Sequence, residues 1–161
     1  MAKNKYTRLA VVAGLVVLCD QVSKALILKN LPLHHNIAVI AGLFDIVHVH
    51  NPGGAFGLMA GMGSGLRTVV FLFISSLAVG LILYFYLKTP PTHRLLAIGF
   101  ALIFGGAIGN LIDRLRFGIV VDFIDVYIGT YHWPAFNVAD SAITVGIFIF
   151  LFHLLFKKMP L

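Results

Sequence analysis

The sequence contains no glutamate, and its six acidic residues are all aspartates. Charged residues of both signs make up only 11% of the 161 residues, whereas a soluble globular domain carries about 25%. Hydrophobic residues make up 60%, and the mean hydropathy is +0.98. A chain so apolar and so poor in charge would aggregate in water, so we expect most of its surface to contact lipid.

Cysteine occurs once, at Cys19, which excludes an internal disulfide framework. The net charge of +6 does not indicate nucleic-acid binding, because the basic residues stand at the ends of apolar segments rather than in a stripe. A basic start followed by an apolar run is typical of a secretory signal peptide, and Cys19 would even suit a lipoprotein signal. However, Leu18 stands where such a signal needs a small residue, so we expect a retained first span.

Four apolar segments have the length that a helix needs to cross a bilayer core, about 20 residues. They are predicted at about 9–28, 68–87, 95–112 and 139–156. No pattern of alternating short strands indicates a closed barrel, so all four are predicted to be helices. The fold class is therefore an all-α membrane protein with four transmembrane helices, and residues 1–161 are expected to form a single membrane-embedded domain.

Lysine and arginine placement predicts the orientation of the chain. Three basic groups precede span one, join spans two and three, and follow span four, and they comprise Lys3, Lys5, Arg8, Lys88, Arg94, Lys157 and Lys158. With four spans these groups share one side, which the positive-inside rule assigns to the cytoplasm together with both termini. All six aspartates fall in the outer half, so chemistry is expected at the outer face.

The two outer connections differ in character. Residues 36–51 contain apolar, β-branched stretches that predict a hairpin or small sheet, and a turn follows at 51–54. The connection 113–138 contains the aromatic residues Tyr127, Tyr131, Trp133 and Phe136, and tyrosine and tryptophan favour a membrane interface. Span three ends in small residues at Gly105, Gly106 and Gly109, a pattern that allows close helix approach.

Two aspartates form the candidate catalytic pair. Asp122 lies in an apolar run, where burial favours its protonated form. Asp140 lies at the start of span four, where the helix N-terminus favours an ionised carboxylate. Asn137 can be the N-cap of that helix with Asp140 as its third residue, and this structural duty is compatible with chemistry. One charged and one neutral carboxyl suit amide hydrolysis, because the first can deprotonate water while the second protonates the carbonyl oxygen.

Other polar residues in the spans support two interpretations each. Asp20 and Lys24 are four residues apart in span one, so they form either an ion pair near the interface or a device that positions substrate. Asn110 and Arg114 share a face of span three, where they either pack between helices or line a cavity. Ser/His/Asp chemistry is not indicated, because Ser141 has no histidine placed to activate it.

Four histidines occur in the first outer connection: His34, His35, His48 and His50. His48 and His50 would share one face of a strand, but no carboxylate or cysteine stands near them at ligand spacing. We therefore expect no metal site and no cofactor, and removal of divalent metal should leave activity unchanged.

Five motifs resemble those of the lipoprotein signal peptidase (signal peptidase II) family, in the same order and across all four spans. They are DQVSK at 20–24, NPGGAF at 51–56, GGAIGNLIDR at 105–114, VDFI at 121–124 and FNVADS at 136–141. The resemblance implies a bacterial inner-membrane aspartyl endopeptidase. Its substrates would be diacylglyceryl-modified prolipoproteins, cleaved just before the lipid-modified cysteine.

The same resemblance implies roles for individual residues. Asp122 and Asp140 would be catalytic. Five residues would bind the substrate or its reacting carbonyl: Asn51, Gly54, Asn110, Arg114 and Asn137. Asp20 and Lys24 would support the surrounding structure, and the outer connections would form a small β-cradle and an interfacial helical segment. The implied partners are prolipoproteins and membrane lipid, with no nucleic acid and a monomeric enzyme.

Two alternatives remain from the residues alone, and a third is excluded by its missing motifs. A small ion- or proton-coupled transporter would also carry intramembrane acids, but it predicts charges across the whole bilayer. A structural membrane subunit predicts that both aspartates are dispensable. A presenilin-type protease would carry its acids in Tyr-Asp and Gly-x-Gly-Asp motifs, which are absent.

Overall fold

A computed structural model of the chain describes residues 2–53 and 63–156. Its helices and strands are α1 (Ala2–Asn30), β1 (Asn36–Ile40), β2 (Phe44–Asn51), α2 (Ser64–Lys88), α3 (Arg94–Phe117), β3 (Val120–Ile128), β4 (Tyr131–His132) and α4 (Val138–Phe156). Each of the four predicted spans lies within one of these helices.

The four helices are long and apolar enough to cross a membrane. A helix satisfies its backbone hydrogen bonds internally, which hydrocarbon surroundings require. Their outward faces carry large apolar side chains such as Leu77 on α2 and Phe148 on α4, which are 63% and 67% exposed. Such surfaces are suited to contact with acyl chains, and the predicted four-helix membrane fold is confirmed.

Helix α3 lies at the centre of the bundle and contacts α1, α2 and α4. Small residues permit this close packing. A Cβ atom on Gly105 would lie 2.9 Å from the Cα atom of Ala13 in α1, and one on Gly106 would overlap the carbonyl oxygen of Ala139 in α4. The close helix approach predicted from the small residues of span three is therefore confirmed.

The four strands form one antiparallel sheet in the order β1-β2-β3-β4. The hairpin predicted at residues 36–51 is confirmed as β1 and β2, joined by a turn in which Gly42 has φ 81°. The aromatic connection after α3 forms β3 and β4 rather than a helix. Among the described residues the interfacial helical segment has no counterpart, and residues 54–62 lie outside them.

The end of the bundle opposite the sheet carries basic residues. The Lys5 ammonium group donates to the carbonyl oxygens of Leu87 and Thr89, both at 2.7 Å, where α2 ends. A cation is stabilised there by the unpaired carbonyls at a helix C-terminus. The basic group at the start of α1 therefore lies beside the one between α2 and α3, as predicted. Lys157 and Lys158 of the third group lie outside the described residues.

Candidate active site

Asp122 lies on β3, where its side chain is buried between the sheet and the helices, with 2% of the residue exposed. Its Oδ1 atom accepts a hydrogen bond from Asn137 Nδ2 at 2.7 Å, and its Oδ2 atom accepts one from Asn51 Nδ2 at 2.9 Å. Asn51 reaches this carboxyl group because β2 and β3 pair with Asn51 opposite Val120. Both carboxyl oxygens of Asp122 thus have an amide donor.

The Asn51 amide is held in one orientation. Its Oδ1 atom accepts the backbone N–H of Gly53 at 2.9 Å, which leaves the Nδ2 donor facing Asp122. Gly53 has φ 82°, a left-handed conformation that glycine adopts without strain. The turn predicted at 51–54 therefore aims the Asn51 side chain, while Gly54 itself lies outside the described residues.

Asp140 lies at the start of α4 and takes part in a reciprocal capping arrangement. Its backbone N–H donates to Asn137 Oδ1 at 2.9 Å, and its own Oδ2 atom accepts the backbone N–H of Asn137 at 3.3 Å. This is the arrangement of a capping box with Asn137 as N-cap, as predicted. The other carboxyl oxygen, Oδ1, accepts Asn110 Nδ2 at 2.7 Å.

Two asparagine side chains connect the two aspartates. Asn137 Nδ2 donates to Asp122 and also lies 3.2 Å from Asn110 Oδ1, while Asn110 Nδ2 donates to Asp140. The structure therefore brings together four predicted site residues from α3, β3 and α4. Each amide oxygen accepts and each amide nitrogen donates, so the network is internally consistent.

Burial is the main cause that raises the pKa of Asp122, to about 6. The amide donors Asn51 and Asn137 favour its ionised form and oppose this shift, whereas the negative charge of Asp140 adds to it. A carboxyl group with this pKa holds its proton well above the usual aspartate range. It can therefore serve as an acid closer to neutral pH.

Arg114 lies close enough to Asp122 and Asp140 for their charges to act on its guanidinium group. Its Nη1 atom makes a long contact of 3.4 Å with the carbonyl oxygen of Asn110, and the group lies over the ring of Phe71 in α2 at 5.7 Å. Within residues 2–53 and 63–156 no carboxylate forms an ion pair with it. Arg114 thus keeps donors available for a ligand.

Asp20 and Lys24 form the predicted ion pair, with Lys24 Nζ 2.8 Å from Asp20 Oδ2. The same ammonium group lies 2.8 Å from Asp113 Oδ2 and donates to Asn110 Oδ1 at 3.1 Å. Sequence reasoning did not assign Asp113 to the site. A signal was present, because Asp113 stands three residues after Asn110 and so shares its helix face.

The histidine pair predicted on one strand face does make contact. His48 Nδ1 lies 2.7 Å from the carbonyl oxygen of Leu31 and must donate to it, so His48 Nε2 is free to accept from His50 Nε2 at 3.1 Å. In the described part of the chain no group of three or more histidine, cysteine or acidic side chains is placed to hold a metal ion.

One groove reaches Asp140, and a second lies near it along α4. One, of about 410 Å³, is lined by Asp140 itself together with Trp133 and Phe136 from the segment before α4. The other, of about 650 Å³, runs between α2 and α4 over α3 and has only apolar lining residues. Its residue Ile143 lies three positions after Asp140, so this groove borders the face of α4 that carries Asp140.

The fold and this polar cluster define a membrane protein whose buried acids are gathered at one end of a four-helix bundle. The family model described as signal peptidase (SPase) II matches residues 12–156. The chain belongs to this family, and it is therefore a peptidase. Membership of this peptidase family excludes the transporter and structural-subunit alternatives.

Known proteins resemble this chain in both sequence and structure. A lipoprotein signal peptidase of Desulforapulum autotrophicum is 55% identical, over 99% of each chain. A lipoprotein signal peptidase of Geobacter sulfurreducens is 50% identical, over 86% of this chain and 84% of the other. A solved bacterial membrane enzyme superposes with a TM-score of 0.82 at 32% identity, over 95% of this chain and 92% of that one.

Proposed function

We propose that this protein is a lipoprotein signal peptidase. It removes the signal peptide from diacylglyceryl-modified prolipoproteins by cleaving before the lipid-modified cysteine, and it uses Asp122 and Asp140 to activate water. The observation that carries the proposal is the pair of carboxyl groups connected through Asn110 and Asn137 at the end of an apolar bundle. The relatives named lipoprotein signal peptidase supply the substrate class.

The two carboxyl groups have different roles, one as the acid and one as the base. Asp122, whose pKa burial raises to about 6, carries the proton and hydrogen-bonds the scissile carbonyl oxygen. Asp140 takes a proton from water as the water oxygen attacks the carbonyl carbon. The carbonyl oxygen receives the proton of Asp122, which leaves a neutral tetrahedral diol. When the carbon–nitrogen bond breaks, Asp140 gives its proton to the leaving amine and Asp122 recovers its own.

The polar neighbours hold these groups in position. Asn51 and Asn137 fix the Asp122 carboxyl, and Asn110 fixes that of Asp140, each through an amide donor. Arg114 has donors that can hold a second substrate carbonyl. Fixed donors of this kind lower the barrier because they need no reorganisation during the reaction.

The surroundings suit a lipid-bearing substrate that arrives from the bilayer. The groove between α2 and α4 is lined by apolar residues alone and borders the face of α4 that carries Asp140. An acyl chain or an apolar signal peptide can occupy it without leaving an apolar environment. We infer that the active site lies at the outer face of a bacterial inner membrane with both termini in the cytoplasm, because Lys5 lies at the opposite end.

The test is cleavage of a diacylglyceryl-modified prolipoprotein by the purified protein, with the products identified by mass spectrometry. We expect one cut, which leaves the modified cysteine as the new N-terminus. The same precursor without the lipid should be cut at least about tenfold more slowly, because it lacks the acyl-chain binding energy. A chelator should not change the rate. Cutting at another bond, or equal rates with and without lipid, would refute the assignment.

A further inference from the structure

Asp113 is a buried acid that the proposed chemistry does not use. It lies on α3 with 1% of the residue exposed. Burial of a carboxylate is costly unless a cation and hydrogen-bond donors satisfy it. Asp113 has three such partners: Lys24 Nζ, Gln21 Nε2 and the backbone N–H of Val121. Asp113 therefore connects α3, on which it lies, to α1 and β3.

Lys24 joins Asp113 to a second buried carboxylate. Its ammonium group lies 2.8 Å from Asp113 Oδ2 and 2.8 Å from Asp20 Oδ2, so one cation bridges α1 and α3. We call Asp20, Lys24 and Asp113 the carboxylate clamp. All three residues are buried, and Gln21 Nε2 donates to both carboxylates, at 3.1 Å to Asp20 and 2.9 Å to Asp113.

Each carboxylate of the clamp also accepts a hydrogen bond from one backbone N–H. In both cases that N–H belongs to the residue just before an aspartate of the proposed catalytic pair. Asp113 Oδ2 accepts the N–H of Val121 at 3.1 Å, and Val121 immediately precedes Asp122. Asp20 Oδ1 accepts the N–H of Ala139 at 3.0 Å, and Ala139 immediately precedes Asp140. The clamp is therefore hydrogen-bonded to the backbone of β3 and α4, one residue before each member of the proposed catalytic pair.

A third contact links the clamp to the side chains of the site. Lys24 Nζ donates to Asn110 Oδ1 at 3.1 Å, so the Asn110 amide must present its Nδ2 donor to Asp140. An amide turned the other way would place its own donor against the ammonium group. Lys24 thus positions the backbone of β3 and α4 through the two carboxylates. It positions the Asn110 side chain by a direct hydrogen bond.

We propose that Asp113 is a positioning residue for the Asp122 and Asp140 pair. Through Lys24 and Asp20 it sets the separation and orientation of the two reacting carboxyl groups. The catalytic part of this inference rests on the proposed function, whereas the effect on the Asp122 carboxyl can be measured without substrate. A charge that stabilised the helix bundle without acting on the pair would alter unfolding and leave both kcat and the titration of Asp122 unchanged.

The charges around Asp122 determine what replacement of Asp113 should do. The charges that act on Asp122 are those of Asp140 from α4 and Lys24 from α1. Lys24 is paired with two carboxylates, Asp20 from α1 and Asp113 from α3, and Arg114 from α3 also lies close to Asp122. Asp113→Asn removes one negative charge from this set while it keeps the side-chain shape. The ionised form of Asp122 then becomes easier to form, so its pKa should fall.

The first experiment compares the kinetics of wild type, Asp113→Asn and Asp125→Asn on lipid-modified prolipoprotein. Asp125 is a matched control because it lies on β3 and its carboxyl group contacts the His132 ring at 2.9 Å, away from the clamp. We expect Asp113→Asn to lower kcat roughly 10- to 100-fold with little change in KM, since a small displacement of reacting groups has effects of that size. Asp125→Asn should behave as wild type.

The second experiment observes the carboxyl groups directly. Because all six acidic residues are aspartates, labelling with [4-¹³C]aspartate gives only six acidic side-chain carboxyl signals. The Asp122 signal is assigned as the one lost in Asp122→Asn. We expect its titration midpoint to move to lower pH in Asp113→Asn and to stay in place in Asp125→Asn.

Asp113→Glu provides a second variant that retains the charge. It should keep the Asp122 midpoint near that of wild type, yet lower kcat because the longer side chain displaces Val121. If Asp113→Asn does not fold, this variant carries the kinetic test, and a wild-type kcat in it would overturn the proposal. A folded Asp113→Asn variant with an unchanged Asp122 midpoint would also overturn it.

The two proposals can fail separately. If the wild-type protein does not cleave lipid-modified prolipoprotein, the proposed function fails, while the carbon-13 titration still decides whether Asp113 controls the Asp122 carboxyl. If wild type cleaves and Asp113→Asn cleaves at the same rate, the function stands and the positioning role is wrong.

Discussion

At the scale of single residues, the site is an arrangement of amide donors around two carboxyl groups. The sequence predicted the pair itself and the capping role of Asn137, because both follow from local context. It did not predict that Asn110 and Asn137 would join the two aspartates, nor the role of Asp113. Those contacts depend on partners from α1, α3, β3 and α4 that no local pattern specifies.

The pH dependence of the rate follows from Asp122. Burial raises its pKa to about 6, and the proposed mechanism requires its protonated form, so kcat/KM should decline as pH rises through this region. The decline in kcat should occur at higher pH, because a bound lipid substrate excludes water and favours the neutral carboxyl further. A rate that is independent of pH between 5 and 9 would contradict this role.

Asn51→Ala should move that decline to higher pH. The Asn51 amide donates to Asp122 Oδ2 at 2.9 Å and opposes the rise in the Asp122 pKa. Without this donor the ionised form loses support, so the carboxyl keeps its proton to higher pH. The measurement is the pH profile of kcat/KM beside wild type. A shift to lower pH would show that Asn51 does not support the carboxylate.

At the scale of helices and strands, the apolar segments were predicted well and the second outer connection was not. Local composition is enough to specify α1 to α4, and the hairpin of β1 and β2 is also local. Strand β3 pairs with β2 from about 70 positions away along the chain, so its partner is set by the fold. The aromatic residues of that connection indicated an interface but not a strand.

The closeness of α3 and α4 gives a prediction at this scale. A Cβ atom on Gly106 would overlap the Ala139 carbonyl oxygen, so Gly106→Ala must push α4 and Asp140 outwards. We expect it to destabilise the fold by roughly 1–3 kcal/mol, as overpacking does. The measurement is thermal unfolding in detergent micelles, together with the cleavage rate, which should fall.

Gly80→Ala in α2 is the matched control for this substitution. A Cβ atom on Gly80 would meet nothing within 4 Å, so alanine should be neutral or should stabilise the helix by up to about 1 kcal/mol. If both substitutions changed stability equally, helix propensity rather than close packing would explain the effect at Gly106.

At the scale of the whole molecule, the buried acids are gathered at one end of the bundle. The buried acids and their amide partners lie where the sheet meets α3 and α4, whereas Lys5 lies at the far end against the end of α2. Under the proposed function, we expect a lipid-anchored substrate to approach this site within the plane of the membrane. This route agrees with the largely apolar residues that line the groove at Asp140.

The central claim, that the two aspartates perform the hydrolysis, is tested most directly by the single-turnover cleavage rate of Asp122→Asn on lipid-modified prolipoprotein. Asp122 is the better choice because Asp140 also caps α4, so its loss would combine folding and chemistry. Our account predicts a loss of at least about 100-fold with the fold retained, while Asp125→Asn keeps the wild-type rate. A folded Asp122→Asn variant that cleaves at near the wild-type rate would contradict it.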